Sequence, residues 1–353
     1  MQASQRPGMS GTVTALLLAA LAVELRADDG LPPLFSDDAV LQLRIEAPLT
    51  TLIRERSDTE YLDGFVYYTD ATGAEHRLDL KLRARGRYRR QLDTCPFPPV
   101  RLNFRKKQVE GTVFDGIDKL KLVTHCRNSS DAYEQNVLKE YLAYRIFNVL
   151  TDYSLRVRLL RIEYVDSAKS GKVETRYAFL IEDDELFADR IGASRAEVPY
   201  TDYEHLESSQ ASLVAVFQYL IGNTDFSMVA GAKDDNCCHN IELFTVGADR
   251  YLPVPYDFDF AGVVNARYAK PNPNLSIKRV TSRLYRGQCS FNSNLDDTVS
   301  QVMAQRDSVR DTIAGVPGMD ERTRETTARY LDRFFEEMGN PRNVESRMVR
   351  KCL

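Results

Sequence analysis

The sequence predicts an α+β protein with two lobes, in which a sheet-rich lobe precedes a mainly helical one. Stretches with alternating apolar residues dominate the first half of the 353-residue chain, and this alternation is typical of strands. One long stretch with helical spacing interrupts them at residues 131–151, and helical stretches dominate the second half. Strands and helices are therefore grouped rather than regularly alternating, which favours α+β over α/β.

The strands of the first half follow one another closely. The apolar pattern predicts a first strand over 39–55, and the turn "ATG" joins two further strands as a hairpin. Val100, Leu102 and Phe104 share one face of the next strand, whereas the last of the group alternates only roughly. We therefore expect a mainly antiparallel sheet from 39–55, 63–70, 75–86, 98–104 and 118–126.

The first helix, at 131–151, carries apolar residues at helical spacing and begins at a plausible cap, Ser130 or Asp131. Two more strands, a short helix that ends at Gly192, a buried helix and a hairpin around "GAD" come next, at 155–166, 175–183, 184–192, 208–223 and 238–260. The rest is mostly helical, at about 294–350. This order is that of a two-lobed protein-kinase-like fold, with an N-lobe at 28–183 and a C-lobe at 184–353.

The N-terminus predicts export. Arg6 precedes a short apolar run that is followed by small and then acidic residues, which is typical of a signal peptide over residues 1–27. A retained anchor is the alternative; no later stretch is apolar enough to span a bilayer. The six cysteines are even in number and lack CxxC spacing, so disulfides are expected rather than zinc. We expect Cys95 to pair with Cys126, and Cys289 to pair with Cys237 or Cys238.

The charge composition limits the class of function. A net charge of −4 argues against a nucleic-acid partner. Basic residues nevertheless cluster at 80–90 and 104–107. They form either a solvated face or a site for an anion such as phosphate.

Two acidic loops carry the candidate chemistry. Asp225 follows the buried helix at 208–223, while Asn240 precedes one strand of the last hairpin and Asp257 follows the other. Asp225 is placed to orient an acceptor hydroxyl, and the other two offer the hard oxygen ligands that Mg²⁺ or Mn²⁺ prefers. Asp259 lies two residues after Asp257, so it can share the metal or hydrogen-bond to its partner. Each residue alone could instead be an ordinary turn residue.

The series "LRARG", "RLNF", "FDGIDKLKL", "VLKEYLAYRIF", "YAFLIEDDELFADRIG", "IGNTDF", "CHNIELF" and "PVPYDFDFAG" resembles the CotH kinase-like family of secreted or cell-surface proteins. The resemblance covers roughly residues 80–262. It implies a divergent kinase fold that uses ATP with Mg²⁺ or Mn²⁺, and a protein or small-molecule acceptor.

Individual positions can be carried over from the resemblance. It implies Asp225 as the catalytic residue and Asn240 and Asp257 as metal ligands. It also implies nucleotide-side roles for Arg85, which precedes Gly86, for Glu140 in the first helix and for Glu182 before the hinge. Where many relatives carry Lys-Lys, this chain has Pro98 and Pro99, so Arg101 is the substitute for the phosphate contact.

Two further departures from kinases bear on the function. Asp225 and Asn240 are 15 residues apart, wider than in HRDxxxxN, and the insertion holds Cys237 and Cys238. A GxGxxG loop is absent, so side chains would have to hold the phosphates. Three functions stay open: a secreted phosphotransferase, an inactive kinase-like protein used for extracytoplasmic binding or envelope assembly, and a metal-dependent hydrolase.

Overall fold

Seven of the strands pair in one closed sheet. The computed structural model describes Met1 and residues 30–169, 173–231, 236–247 and 249–353, so the predicted signal peptide lies, apart from Met1, outside the described residues. The order around the barrel is β1–β2–β3–β4–β5–β7–β6. The bounds are Leu41–Ala47 for β1, Leu62–Thr69 for β2, Glu75–Ala84 for β3, Val100–Phe104 for β4, Lys119–Val123 for β5, Val157–Asp166 for β6 and Val173–Ile181 for β7.

Closure depends on one parallel pair. β1 pairs with β2 in antiparallel register and with β6 in parallel register, where Ile45 lies opposite Tyr164. The other neighbours pair antiparallel, so the mainly antiparallel sheet that the sequence predicts is present. Because both edges of the sheet are paired, the barrel has no free edge strand.

The prediction of a two-lobed protein-kinase-like fold is wrong. The sheet closes into a seven-stranded mixed barrel instead of forming a separate lobe, and residues Leu31–Leu353 form one compact unit. The physical reason is that the alternation of apolar residues shows which face of a strand is buried. It does not show which strands pair at their edges. The parallel β1–β6 contact joins strands more than 100 residues apart.

A second, smaller sheet and the helices complete the described chain. β8 (Ser194–Arg195), β9 (Ile241–Thr245) and β10 (Tyr251–Pro255) form an antiparallel sheet in the order β10–β9–β8. The helices of the described residues are α1 (Leu49–Glu55), α2 (Lys106–Val109), α3 (Asp131–Leu150), α4 (Asp184–Ile191), α5 (Ser208–Ile221), α6 (Asn292–Ala304), α7 (Arg306–Gly315), α8 (Glu321–Met338) and α9 (Pro341–Arg347). No helix among these residues is both long and apolar enough to cross a membrane.

Most local predictions are confirmed, with one correction. The strand predicted over 39–55 ends at Ala47, and α1 follows it after Pro48. Leu49 and Leu52 of α1 are buried at helical spacing, so the second part of the apolar pattern belonged to a helix. The predicted hairpin at 63–86 is β2–β3, and the hairpin around "GAD" is β9–β10.

Two apolar cores share β6. Leu160 and Ile162 point into the core that fills the barrel, whereas Leu159 packs into the second core with Phe179 and Leu142. Neighbouring residues of a strand face opposite sides, so one strand contributes to both cores. α5 is almost entirely buried in the second core, which fixes the position of the loop that follows it.

Three disulfides are present among the described cysteines. Cys95 pairs with Cys126, which confirms the first predicted bond. The prediction for Cys289 is wrong, because Cys289 pairs with Cys352 and the neighbours Cys237 and Cys238 pair with each other. Sequence separation does not determine which cysteines meet. Only the fold brings the C-terminus back beside Cys289.

Candidate active site

Asp225 is positioned by the end of α5. Gly222 ends the helix in the left-handed conformation at φ +68°, where glycine is favoured. The Asn223 side chain, which is buried, then accepts a hydrogen bond from the Asp225 amide at 2.9 Å. The loop is therefore held from inside, while about one third of the Asp225 side chain stays exposed.

The β9–β10 hairpin brings Asn240 and Asp257 together. Ile241 lies opposite Pro255 in the antiparallel register, so the residues just outside the two strands meet at the same end. The Tyr256 amide donates to the Asn240 carbonyl at 3.1 Å. Asn240 and Asp257 both have left-handed backbones, at φ +53° and +58°. Asn and Asp tolerate this conformation better than other residues with a side chain, so the sequence suits the geometry here.

Direct backbone contacts join the two loops. The Gly262 amide donates to the Gly222 carbonyl at 3.0 Å, and the Val263 amide donates to the Ile221 carbonyl at 2.9 Å. A Cβ atom at either glycine would collide with the hydroxyl of Tyr330. The absence of a side chain at both positions therefore permits the close approach of the two loops.

Asp225, His239 and Asn240 form what we call the open cluster. His239 Nε2 lies 2.9 Å from Asp225 Oδ1. The side-chain Nδ2 of Asn240 donates to the backbone carbonyl of Asp225 at 2.7 Å and to the Asp225 side-chain Oδ2 at 3.2 Å. The hydrogen bond to Asp225 raises the pKa of His239, against the opposing effect of partial burial. Both Asp225 oxygens have a partner, and the carboxylate still reaches solvent.

Arg89, Glu140, Asp257 and Asp259 form a second group, which we call the buried cluster. Arg89 donates to both Glu140 oxygens at 3.0 and 3.3 Å and to Asp257 Oδ1 at 3.0 Å. Its Nε lies 3.2 Å from Asp259 Oδ2. The side chains of Arg89, Glu140 and Asp259 are no more than 8% exposed, whereas Asp257 is 39% exposed. One guanidinium thus links α3 to the loop after β10.

Burial controls the charges of this cluster. It raises the pKa of Glu140 and of Asp259, although Arg89 acts against it in both cases. Burial also acts to lower the pKa of Arg89, but the carboxylates around it outweigh that effect and raise its pKa well above the ordinary value. Arg89 therefore stays a cation, and its charge opposes the effect of burial on the Glu140 and Asp259 carboxyl groups.

Both clusters face one cleft of about 1180 Å³. Its walls include residues from the barrel, from the loop after α5 and from the segment after β10. The predicted residues Asp225, Asn240, Asp257 and Asp259 line it together with the cations Arg83, Arg85, Arg87, Arg89, Arg101, Lys121, Arg195 and Lys270. The structure therefore brings the acidic loops and the basic cluster at 80–90 to the same place, whereas no residue of the cluster at 104–107 lines the cleft.

Three cations stand side by side on the barrel wall of the cleft. Arg101 of β4 lies opposite Arg83 of β3 and opposite Lys121 of β5. Like charges directly opposite each other on neighbouring strands are destabilising. Carboxylates offset only part of this charge: Lys121 contacts both oxygens of Asp184 at 3.1 Å, and Arg101 lies 3.4 Å from Asp183. Such a row, which we call the cationic row, is suited to an anion in the cleft.

The nucleotide-side residues predicted from the sequence are divided by the structure. Arg85 and Arg101 line the cleft. Glu140 reaches it through Arg89, so the arginine that pairs with the helix glutamate is Arg89 and not Arg101. Glu182 is fully buried in an ion pair with Arg190 at 2.9 Å and is not brought to the cleft formed by the described residues.

The oxygen donors of the cleft fit a divalent metal only in part. The described residues contain no group of three or more His, Cys, Asp and Glu side chains arranged to hold a metal ion. Mg²⁺ commonly binds through one or two protein oxygens plus the phosphates of its substrate. Asp257, which is partly exposed, and Asn240 fit that mode. Asp259 fits it poorly, because its carboxylate is buried against Arg89 and Tyr268.

Three members of the site were not predicted from the sequence, namely Arg89, His239 and Lys121. Arg89 belongs to the basic cluster at 80–90, but the pattern does not distinguish it from the neighbouring arginines. His239 stands directly before Asn240, and this position beside a predicted metal ligand is the signal in the sequence that could have identified it. Lys121 alternates in β5 like any exposed strand residue.

Comparisons with known proteins do not assign the chain. No protein-family model matches it, and no curated protein matches it either. The resemblance to the CotH kinase-like family therefore rests on the short motifs alone.

Proposed function

We propose that the protein is a metal-dependent phosphotransferase that moves the terminal phosphoryl group of ATP to a hydroxyl group of a protein or a small molecule. One observation carries the proposal: Asp225, Asn240 and Asp257 line the same cleft as the cationic row. Phosphoryl transfer needs a positioned acceptor, oxygen ligands for a metal and positive charge on the phosphates. The cleft offers all three kinds of group.

Asp225 is assigned to the acceptor. Its carboxylate would take the proton of the acceptor hydroxyl as that oxygen bonds to the terminal phosphorus, while the bond from phosphorus to the bridging oxygen breaks and ADP leaves. His239 and the Asn240 amide fix the orientation of the carboxylate through their contacts at 2.9 and 3.2 Å. A positioned carboxylate that reaches solvent can meet a substrate from outside.

Arg85 and the cationic row are assigned to the phosphates. The Arg85 side chain lines the cleft, its Nε has no hydrogen-bond partner, and burial lowers its pKa. A polar group left without a partner is costly, and a phosphate oxygen would supply one. Together with Arg83, Arg101 and Lys121 it supports binding of a polyphosphate by side chains, without a glycine-rich loop.

Asp257 and Asn240 are assigned to Mg²⁺ or Mn²⁺, which would neutralise charge on the phosphates when bound. In the structure Arg89 contacts one oxygen of Asp257, Oδ1. The partial exposure of Asp257 supports its availability to a ligand in the cleft. Arg89 would hold the loop after β10 in place through its contacts with Glu140 and Asp259.

We also propose that the protein works outside the cytoplasm, secreted or in the periplasm. The three disulfides support an oxidising compartment. The motif resemblance to CotH kinase-like proteins, which are secreted or lie at the cell surface, agrees with that location.

Thermal unfolding with nucleotides tests the proposal. ATP with Mg²⁺ or Mn²⁺ is expected to raise the melting temperature by roughly 5 °C at saturation, because a ligand of the native state adds stability. Metal alone and ATP with a chelator are the controls. Asp225→Ala should keep the shift but lose transfer of phosphate from ATP to acceptor hydroxyls.

Each other outcome identifies a different function. No nucleotide shift in well-folded protein would contradict the proposal and leave a non-catalytic binding protein. Phosphate release to water without transfer to any acceptor would indicate a hydrolase. Transfer that survives in Asp225→Ala would remove the role assigned to Asp225.

A further inference from the structure

The chain between the buried cluster and α6 is free of acidic residues. Residues 260–295, which we call the basic segment, lie between Asp259 and Asp296 and contain no Asp or Glu. At the average acidic content of this chain about five would be expected there. The segment carries six cations in a protein whose net charge is −4, namely Arg267, Lys270, Lys278, Arg279, Arg283 and Arg286.

Two of these cations attach the basic segment to the candidate active site. Arg286 donates to the carbonyls of Thr224 and Phe226 at 2.6 and 2.8 Å, on either side of Asp225. Arg283 donates to the carbonyl of Leu220 at 3.1 Å, at the end of α5. Both side chains are partly buried. The end of the segment is therefore fixed directly behind the open cluster.

The beginning of the basic segment is fixed at the buried cluster. The side chain of Tyr268 hydrogen-bonds to Asp259, and its carbonyl accepts from the Tyr88 hydroxyl at 3.2 Å. Tyr88 and Phe260 pack edge to face at 5.4 Å between ring centroids, and both line the cleft. Any molecule bound along the segment would thus lie between the two clusters.

The other four cations are exposed and unpaired. Arg267, Lys270, Lys278 and Arg279 are exposed to solvent, and none has an ion pair with a described residue. Lys270 lines the cleft, and Val280, next to Arg279, lines it too. Two exposed arginines elsewhere, Arg310 and Arg350, each have a carboxylate partner. This part of the basic segment is therefore a positive surface without ion-pair partners among the described residues, and Lys270 and Val280 join it to the cleft.

We propose that this surface docks an acidic polypeptide segment, which presents its hydroxyl to Asp225. The inference rests on the proposed function and names the class of its acceptor. Opposite charge would attract the segment to Arg267, Lys270, Lys278 and Arg279, and Tyr88, 38% exposed, offers an apolar contact. A short acidic segment is favoured over a long nucleic acid, because the net charge of −4 would repel a polyanion beyond the local surface.

Direct binding of peptides to the full chain tests this inference without nucleotide. A fluorescent peptide rich in Glu with one Ser is expected to bind, and a Lys-rich peptide of equal length is not. Raising the salt to about 0.5 M should weaken binding, because exposed charges are screened. The double variant Lys278→Glu with Arg279→Glu is expected to bind the acidic peptide about tenfold more weakly.

Lys106→Glu with Lys107→Glu is the matched control. These two cations are also adjacent and exposed, but they lie in α2, outside the basic segment. Equal weakening in both double variants, or none in the Lys278 and Arg279 variant, would overturn the inference. So would tighter binding of single-stranded DNA of equal charge, or of phosphatidylserine vesicles, with the same dependence on Lys278 and Arg279.

The two proposals fail separately. Protein that shows the nucleotide shift but does not bind the acidic peptide contradicts the docking inference alone. Protein that binds the peptide through the basic segment but shows no nucleotide shift contradicts the phosphotransferase and leaves an acidic-peptide binding surface.

Discussion

The open cluster and the buried cluster each pair an aspartate with a basic side chain, but they differ in how far water reaches them. Asp225 and His239 are 33% and 43% exposed, and their contact is a single ion pair at 2.9 Å. Arg89 is 8% exposed and bonds to three carboxylates at once. An exposed pair contributes little to stability, whereas removing one partner of a buried pair is strongly destabilising.

This difference lets one cleft combine a rigid part, the buried cluster, with a part that a substrate can reach, the open cluster. The buried cluster fixes α3 against the loop after β10, and Asp257 is its one member that reaches solvent. The open cluster leaves Asp225 available to a substrate. We therefore expect substitutions in the buried cluster to act mainly on folding, and those in the open cluster to act mainly on chemistry.

Arg89→Met should produce the largest effect. It leaves the buried carboxylates of Glu140 and Asp259 without their cation, and breaking such a group costs about 3–5 kcal/mol. Urea unfolding measures the loss. In the open cluster, Asp225→Asn keeps the shape of the side chain and should change the free energy of unfolding by less than about 1 kcal/mol.

Equal destabilisation by Arg89→Met and Asp225→Asn would break the comparison, because the two clusters would then play the same structural part. The variant Arg89→Lys refines the comparison between the two clusters. A lysine keeps the charge but cannot reach Glu140 and both aspartates with a planar fork. Its stability should lie between those of the wild type and Arg89→Met.

His125 shows the effect of burial on a titratable group that does not line the cleft. It is fully buried, its Nε2 contacts Asn128, and its Nδ1 has no partner. Burial lowers the pKa of His125 from 6.5 to about 4. As the pH decreases, His125 takes up its proton in the unfolded chain before it does so in the folded chain. The free energy of unfolding should therefore fall between pH 6.5 and pH 4, by on the order of 3 kcal/mol from this residue.

Unfolding measured across that pH range in His125→Gln checks the sign. The variant should lack most of the dependence, whatever its stability at neutral pH. His205→Gln is the control, since His205 is half-exposed and pairs with Asp202 at the surface. An unchanged pH dependence in His125→Gln would mean that burial does not keep this histidine neutral.

The sequence predicted local structure and the acidic loops, but not how distant parts meet. Alternation and helical spacing located nearly all barrel strands, α3 and α5, because these patterns follow from which face is buried. The parallel contact of Ile45 with Tyr164 that closes the barrel leaves no local pattern. The kinase-like lobe was inferred from element order and from the motif resemblance, and neither of these fixes how strands pair at the edges of the sheet.

The candidate site shows the same limit. Asn240 and Asp257 could be placed together because a hairpin brings its two ends side by side. Arg101 was chosen for the phosphate contact because Pro98 and Pro99 stand where many relatives carry Lys-Lys, whereas Arg89, which pairs with Glu140, lies on an irregular loop between β3 and β4. The pairing of Cys289 with Cys352 likewise depends on the packing of the last helices.

Arg101→Gln should have the smallest effect on stability. Arg101 has one partner, Asp183 at 3.4 Å, and lies between the like charges Arg83 and Lys121. Removing it loses a weak attraction and relieves two repulsions, so the free energy of unfolding should stay within about 0.5 kcal/mol of the wild type. Binding of inorganic tripolyphosphate, followed by calorimetry, should weaken about tenfold because a charged hydrogen-bond donor is lost.

Comparing Arg101→Gln with Arg89→Met then gives the clearest test in the cleft, because the residue type is the same and only its surroundings differ. Arg322→Gln is the control, since Arg322 is an exposed cation of α8 that lies away from the cleft. It should leave both stability and tripolyphosphate binding unchanged. If Arg101→Gln destabilises the protein as much as Arg89→Met does, the cationic row is a structural element. If it is neutral in both measurements, the row does not hold phosphates, and positive charge for phosphoryl transfer must come from Arg85.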